Sequence, residues 1–268
     1  MSRPGSGPEQ TPGAGTPSSR TLRPVIPAPD PAVLQVLRHG TLEVLGRLVD
    51  ASNATLYCRA SGRALDGSEL DLACVYKPVR GERPLWDFPN GTLANREYAA
   101  FLVSDAMRLS IPPPTVLRDG PFGRGMVQLW VEVDDSVDVV ALVRNCDDRL
   151  RRIALFDAVV NNADRKGGHL LPTQEGHIHG VDHGVCFAVE PKLRTILWCW
   201  RGSPIDSEER EMLARLRAAL RGELGSQLRT VLSSHEVRAT ARRIDGLLSD
   251  GRFPEPDPDR PAVPWPPF

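Results

Sequence analysis

The chain has 268 residues, and its 33 Lys+Arg against 34 Asp+Glu leave a formal net charge of -1. That length supports one large domain or two small ones around a real core. The charge balance excludes a protein whose main business is coating nucleic acid or an anionic membrane. No apolar run approaches the roughly 18 residues of a membrane span, and residues 1–31 lack the apolar block of a signal peptide. A soluble, cytoplasmic protein with no stable membrane association is expected.

Eight of the 25 prolines fall in residues 1–31 and seven in 252–268, which marks both ends as tails. Residues 1–30, rich in Pro, Gly, Ser and Thr, read as a disordered N-terminal tail. Residues 251–268 read as a proline-rich tail, taken as unstructured, with an extended docking peptide as the alternative. Only three of the 33 basic residues are lysines, Lys77, Lys166 and Lys192. The five cysteines (Cys58, Cys74, Cys146, Cys186, Cys199) are odd in number, form no CxxC pair and sit among apolar residues. They read as buried free thiols of a reducing cytoplasm.

In chain order, the first helix spans Asp30 to His39, with Asp30 as N-cap, Pro31 at the first position and Gly40 as stop. A β-meander follows: Leu42 to Leu48, Thr55 to Arg59, and Leu70 to Lys77, with Ser61-Gly62 and Asp66-Gly67 as breakers in the last connection. A loop, Pro78 to Gly91, leads to a helix from about Thr92 to Leu109, whose stripe holds Leu93, Glu97, Ala100 and Phe101. Thr115 to Arg118 and Gly125 to Val133 read as two more strands, and Arg149 to Asn161 as a helix. Ile178 to Val181 and Val185 to Val189 read as short strands around a turn. From Ser207 to about Asp250 the pattern is helical, broken near Gly222 and Gly225, with arginine-rich faces that read as solvated surface. The expected class is α+β with two lobes, a β-rich N-lobe over 31–133 and a helical C-lobe over 134–250.

Four features carry chemistry, and their order matters more than any one alone. Lys77 ends an apolar strand in Val75-Tyr-Lys-Pro; a snorkelling edge lysine is the plain alternative. Glu97 lies between Leu93 and Phe101 on an apolar helix face, and a carboxylate there wants a cation because burying it unpaired costs several kcal/mol. Asn161 to His169 is a polar loop containing Asp164, after a helix that itself carries Asp157. Asp182 stands at a strand end in Gly180-Val-Asp-His-Gly184. A plain turn is the alternative for Asp164 and for Asp182. Phosphoryl transfer needs such parts: a lysine on phosphate oxygens, a glutamate holding it, an acid at the nucleophile and a second acid on Mg²⁺.

The run Asn-x-Asp-Arg at 162–165, His169 five residues beyond Asp164, and Val-Asp-His-Gly at 181–184 resemble the catalytic and metal loops of phosphatidylinositol 3- and 4-kinases. They are similar also to those of HipA-type kinases and of an actinobacterial family carrying this domain. The resemblance spans roughly residues 40–205 and implies a two-lobed protein-kinase-like fold that clamps ATP–Mg²⁺. It implies that Asp164 orients or deprotonates the acceptor hydroxyl, Asp182 binds the metal, Lys77 holds the phosphates and Glu97 fixes Lys77. Ser52, Asn53, Ala54 and Thr55 fall where the family has its phosphate-covering loop. Gln128, Leu129, Trp130, Val131 and Glu132 fall at the adenine-binding hinge, with an ordinary core aromatic as the alternative for Trp130. The partners implied are nucleotide and an unidentified phosphoacceptor, protein or small molecule.

Two departures keep alternatives open. His169 stands where the family has an asparagine oxygen ligand for a second metal, and Mg²⁺ prefers oxygen. Either Mn²⁺ replaces it, or one metal suffices, or His169 only hydrogen-bonds Asp164. The covering loop also lacks glycines, so a pseudokinase that binds nucleotide without transfer is an alternative. A zinc-dependent hydrolase is the rival reading, because His177, His179, Asp182 and His183 approximate an HxHxDH motif with one residue too many.

Overall fold

A computed structural model of the chain describes residues 29–48 and 53–268. Most of the expected N-terminal tail and Ser52 of the covering loop lie outside the described residues. The first helix, α1 (Pro31–His39), starts where Asp30 accepts a hydrogen bond from the Ala32 N–H, and it stops at Gly40. It is followed by β1 (Thr41–Arg47), β2 (Leu56–Arg63) and β3 (Glu69–Pro78). Beyond the next loop come α2 (Leu93–Met107), β4 (Thr115–Gly120) and β5 (Gly123–Leu129). The five strands form one antiparallel sheet of order β1-β2-β3-β5-β4. Lys77, near the end of β3, therefore sits in the middle of the sheet, opposite Met126 of β5.

The expected breaker Ser61-Gly62 is no turn. Both residues lie inside β2, paired with Asp71 and Leu70. A Cβ on Gly62 would lie 3.1 Å from the Gly40 Cα, so this glycine lets the end of α1 approach the sheet. The turn itself uses Gly67 at φ 86. Thr92 does begin α2, yet its side chain caps nothing. The Glu82 carboxylate does the capping, accepting from the Leu93 and Ala94 N–H groups at 3.1 and 2.8 Å, where a negative charge also meets the positive helix end.

The second half holds α3 (Val139–Arg144), a helix the sequence pattern did not announce, and α4 (Arg151–Val160). A hairpin of β6 (Leu170–Pro172) and β7 (Ile178–Gly180) precedes α5 (Ser207–Ala219), α6 (Glu223–Leu228) and α7 (Ser234–Asp250). β7 pairs with β6 upstream, not with Val185 to Val189 as expected. That later segment is a loop, buried from Cys186 to Ala188: Phe187 takes positive φ, and its backbone bonds go to Ala163 and Val160. One core lies between α1 and the sheet, including Val36, Leu37, Cys58, Tyr76 and Val127. The larger one joins α2, α4, α5 and α7 through Val103, Met107, Leu155, Phe156, Leu213 and Ile244.

Two expectations fail here. Residues 251–268 are packed: Phe253 is buried, Ala262 O accepts from Thr195 N and Trp198 Nε1, and Pro267 O accepts from Gly167 N. Proline lacks an N–H but keeps its carbonyl, and the neighbouring loops supply the donors. Cys146 and Cys199, 53 residues apart, form a disulfide bond, so only Cys58, Cys74 and Cys186 are free among the expected thiols. The free-thiol argument for a reducing compartment falls with that pair. Among the described residues no helix is long and apolar enough to cross a membrane.

Candidate active site

Strand alternation turns Tyr76 into the sheet core and Lys77 out towards the second half of the chain. The Lys77 Nζ lies 2.7 Å from Glu97 Oε1 on α2 and 3.0 Å from Asp182 Oδ1 just after β7. The second Glu97 oxygen accepts the His183 N–H at 2.9 Å. Glu97 thus ties the sheet lysine to the backbone beside Asp182. The Glu97 side chain is 2 % exposed and that of Asp182 45 %. Lys77 and then burial oppose each other at Asp182, where the ammonium wins and holds the carboxyl well below its usual range. Burial dominates at Glu97 and pushes it upward against the same ammonium. Burial would lower Lys77, but the two carboxylates outweigh it and keep the amine protonated. Asp182 holds φ 61, a left-handed conformation uncommon outside glycine, which aspartate tolerates better than most residues.

The helix α2 is anchored by the neighbour of Glu97 as well. Arg96, 1 % exposed, reaches Glu236 of α7 at 2.5 Å and Cys186 O at 2.7 Å. Its guanidinium stacks 4.9 Å from the Phe88 ring centroid.

Asp164 sits in the loop after α4. Asn161 ends that helix in the left-handed conformation, φ 55, and its amide donates to Ala188 O and Glu190 O. Asn162 donates to Asp157 at 2.9 Å and accepts the Asp164 N–H at 3.0 Å, which fixes the backbone under the acid. The Asp164 carboxylate faces solvent cations, Lys166 Nζ at 3.3 Å and Arg194 Nη2 at 3.7 Å. Below it, Arg165 and Asp157 form a wholly buried ion pair at 2.9 Å. Arg165 also donates to Val181 O at 3.0 Å and contacts His183 Nε2 at 2.6 Å. It therefore braces the Asp164 loop against the Asp182 loop. Burial and the Arg165 charge keep His183 neutral, so Nε2 accepts and Nδ1 carries the proton; Nδ1 has no partner among the described residues.

His169 Nε2 lies 3.5 Å from Asp182 Oδ2. Of the three roles left open for it, the hydrogen bond to Asp164 is not formed. Burial lowers its pKa despite Asp182, leaving a neutral ring beside the carboxylate. Asn53, Ala54 and Thr55 lie between β1 and β2, held against the turn that follows Lys77: Asn53 accepts from Arg83 N at 2.8 Å and Ala54 donates to Gly81 O at 3.2 Å. In the expected hinge, the Leu129 and Trp130 N–H groups are committed to Pro114 O and Ala73 O. Gln128 is buried with its amide on Thr115, and Trp130 packs edge-on against Tyr57. Val131 and Glu132 follow, beyond the last strand.

The zinc set is not assembled. His177 and His179 bond the Ser110 and Ile111 carbonyls, His183 bonds Arg165, and Asp182 bonds Lys77. No group of three or more His, Cys, Asp or Glu that could hold a metal ion occurs among the described residues. That observation limits the magnesium expectation too. Asp182 offers a hard oxygen donor, Oδ2, that Lys77 does not occupy and that lies 3.5 Å from His169 Nε2. A single carboxylate fits Mg²⁺ when phosphates and water fill the other positions, and His169 suits Mn²⁺ better.

Asp164 also lines a cavity of about 1230 Å³, to whose walls Lys77 does not contribute. Its walls come from the loop at Leu85 to Phe88, residues 185–194, α7 and the segment 254–262.

Sequence reasoning singled out Lys77, Glu97 and Asp182, and the fold brings those three together. It missed Arg165, Arg96 and Arg194. The first stood in the quoted Asn-x-Asp-Arg run, and the second stood beside Glu97. Arg194 carried no signal.

A β-rich lobe and a helical lobe, joined beside a lysine–glutamate–aspartate cluster, define the two-lobed protein-kinase-like fold. Over 81 % of this chain and 86 % of the other, the fold is similar to the structure of hydra Fam20 with sugar, with a TM-score of 0.55 at 15 % identity. A weaker likeness, TM-score 0.46 at 11 % identity over 81 % and 94 %, is to the Helicobacter pylori proinflammatory kinase CtkA. No protein-family model matches the chain. The chain belongs to the same family as Protein Rv2133c of Mycobacterium tuberculosis, with 43 % identity across 87 % of this chain and 94 % of that protein.

Proposed function

We propose that the protein is a phosphotransferase that moves the γ-phosphoryl group of ATP to a hydroxyl. The observation that carries this reading is Lys77 held between Glu97 and Asp182 at 2.7 and 3.0 Å. An ammonium so placed between the sheet and the Asp182 loop suits phosphate oxygens, and a carboxylate pair keeps it charged and oriented. Asp182, with His169 beside it, would hold the divalent metal, which neutralises phosphate charge when bound. Asp164 accepts the proton of the acceptor hydroxyl while its oxygen bonds to the γ-phosphorus and the bond to the bridging oxygen of ADP breaks. Lys166 and Arg194 flank that carboxylate and offset charge near it. Val131 and Glu132, whose backbone follows the last strand, would hold the adenine edge, and Asn53 to Thr55 would cover the phosphates. The loop sequences support the finer likeness to phosphatidylinositol 3- and 4-kinase-like and HipA-type enzymes.

Calorimetry with ATP and Mg²⁺ or Mn²⁺, followed by ADP release in wild type and Asp164→Asn, tests the proposal. Nucleotide binding lost in Lys77→Met and turnover lost in Asp164→Asn are the expected results. No binding at millimolar ATP with either metal would remove the reading. A second reading, the pseudokinase, is favoured by His169 in the second-metal position; binding without turnover with either metal would select it.

A further inference from the structure

The cavity beside Asp164 takes no wall from Lys77, Glu97 or Asp182. Asp164 and Arg194 line it, and its charges are unevenly paired. Lys192 is held by Asp87 at 2.6 Å and Arg260 by Asp257 at 3.5 Å, while Arg194 approaches Asp164. Arg243 differs. Its guanidinium donates to Val159 O, Ala188 O and Thr240 Oγ1, all neutral, at 2.8–3.1 Å. Among the described residues neither it nor Arg242, the adjacent wall residue, has a carboxylate within salt-bridge distance. Glu190, Asp250 and Glu255 also line the cavity but are exposed, and Glu255 lies against Gly202.

Burial lowers the Arg243 pKa to about 10, so at neutral pH a largely buried cation persists whose nearest carboxylate influence, Glu236, is already engaged by Arg96. Such a charge is costly until an anion completes the pair, and the guanidinium fork matches phosphate or carboxylate. The volume suits a small molecule rather than a bare ion.

We propose that this cavity is the phosphoacceptor site, occupied by a small alcohol that carries a phosphate or carboxylate group. Arg242 and Arg243 hold the anion and the free hydroxyl meets Asp164. The inference rests on the phosphotransferase reading: the acceptor oxygen bonds to the γ-phosphorus, its proton passes to Asp164, and ADP departs with the bridging oxygen.

The test uses inorganic phosphate, glycerol 3-phosphate and glycerate as probes, with glycerol as the neutral control. Binding is read by calorimetry and by the fluorescence of Trp86 and Trp198, which line the cavity. Saturable binding of at least one organic anion is expected, about tenfold tighter than glycerol. Arg242→Gln should weaken it while leaving ATP affinity unchanged, and Lys77→Met should do the reverse. Arg242 is exposed, so its variant remains informative if Arg243→Gln fails to fold. Three results would overturn the inference: no anion bound at millimolar concentration, glycerol bound equally well, or anion binding lost in Lys77→Met but retained in Arg242→Gln. Absence of ATP binding in the wild-type protein, with the anion still held by Arg242, would instead remove the phosphotransferase reading and the acceptor role with it.

Discussion

Asp157→Asn removes one oxygen from the interior and one charge, with almost no change of shape. Asp157 and Arg165 are both 0 % exposed. The carboxylate accepts Arg165 Nε and Nη2 at 2.9 Å each and Asn162 Nδ2 at 2.9 Å. The amide keeps a single acceptor and turns an NH₂ towards donors, so the guanidinium stays buried without a counter-charge. Stranding one partner of a buried pair costs about 3–5 kcal/mol, which for a domain of this size lowers the melting temperature by roughly 10 °C. Urea unfolding followed by tryptophan fluorescence, at unchanged m-value, measures it. Replacing both partners, Asp157→Leu with Arg165→Met, should recover only part of the loss: no orphan charge remains, but Val181 O, His183 Nε2 and Asn162 Nδ2 lose their partners. A cost below about 1 kcal/mol for the single variant would refute the claim that this pair braces the two loops.

Acid should destabilise the fold through the His177–His179 corner. Burial holds His179 at about 4 against the usual 6.5, so the unfolded chain binds this proton first. Stability is then fully present above pH 6.5 and declines towards pH 4, by at most about 3 kcal/mol from this residue; His179→Gln should flatten that slope in pH-dependent unfolding. Reducing the Cys146–Cys199 bond opens a loop of 53 residues, which loop entropy sets at about 4 kcal/mol. Unfolding curves with and without dithiothreitol would coincide if the bridge were not formed. Gly167→Ala would put a Cβ 2.1 Å from a ring carbon of Phe268; limited proteolysis should show the 254–268 segment released, and Phe268→Ala should relieve the clash in the Gly167→Ala background.

Short-range signals made the sheet and α1 legible: Asp30-Pro31, the alternation of Leu70 to Lys77, and the stripe of α2. Glu97 was legible as a charge on an apolar helix face, and Asp182 as an acid at a strand end in the Val-Asp-His-Gly run. Long-range partners were not. Nothing near Cys146 announces Cys199, and nothing near Arg165 distinguishes a buried guanidinium from the chain's many surface arginines. Glu82 caps α2 because the intervening loop folds back, which a local window does not reveal. The same holds for 251–268, whose prolines signal a missing donor but not that Thr195, Trp198 and Gly167 supply theirs.

Arg96 and Glu97 are consecutive residues on one turn of α2, yet they answer to different masters. One grips Glu236 of α7 and the other grips Lys77 and the His183 backbone. A rotation of α2 that freed either would strand the other inside the protein. The helix therefore has no gentle slide available: its orientation is latched, and swinging Glu97 away means unlocking an arginine at the same moment.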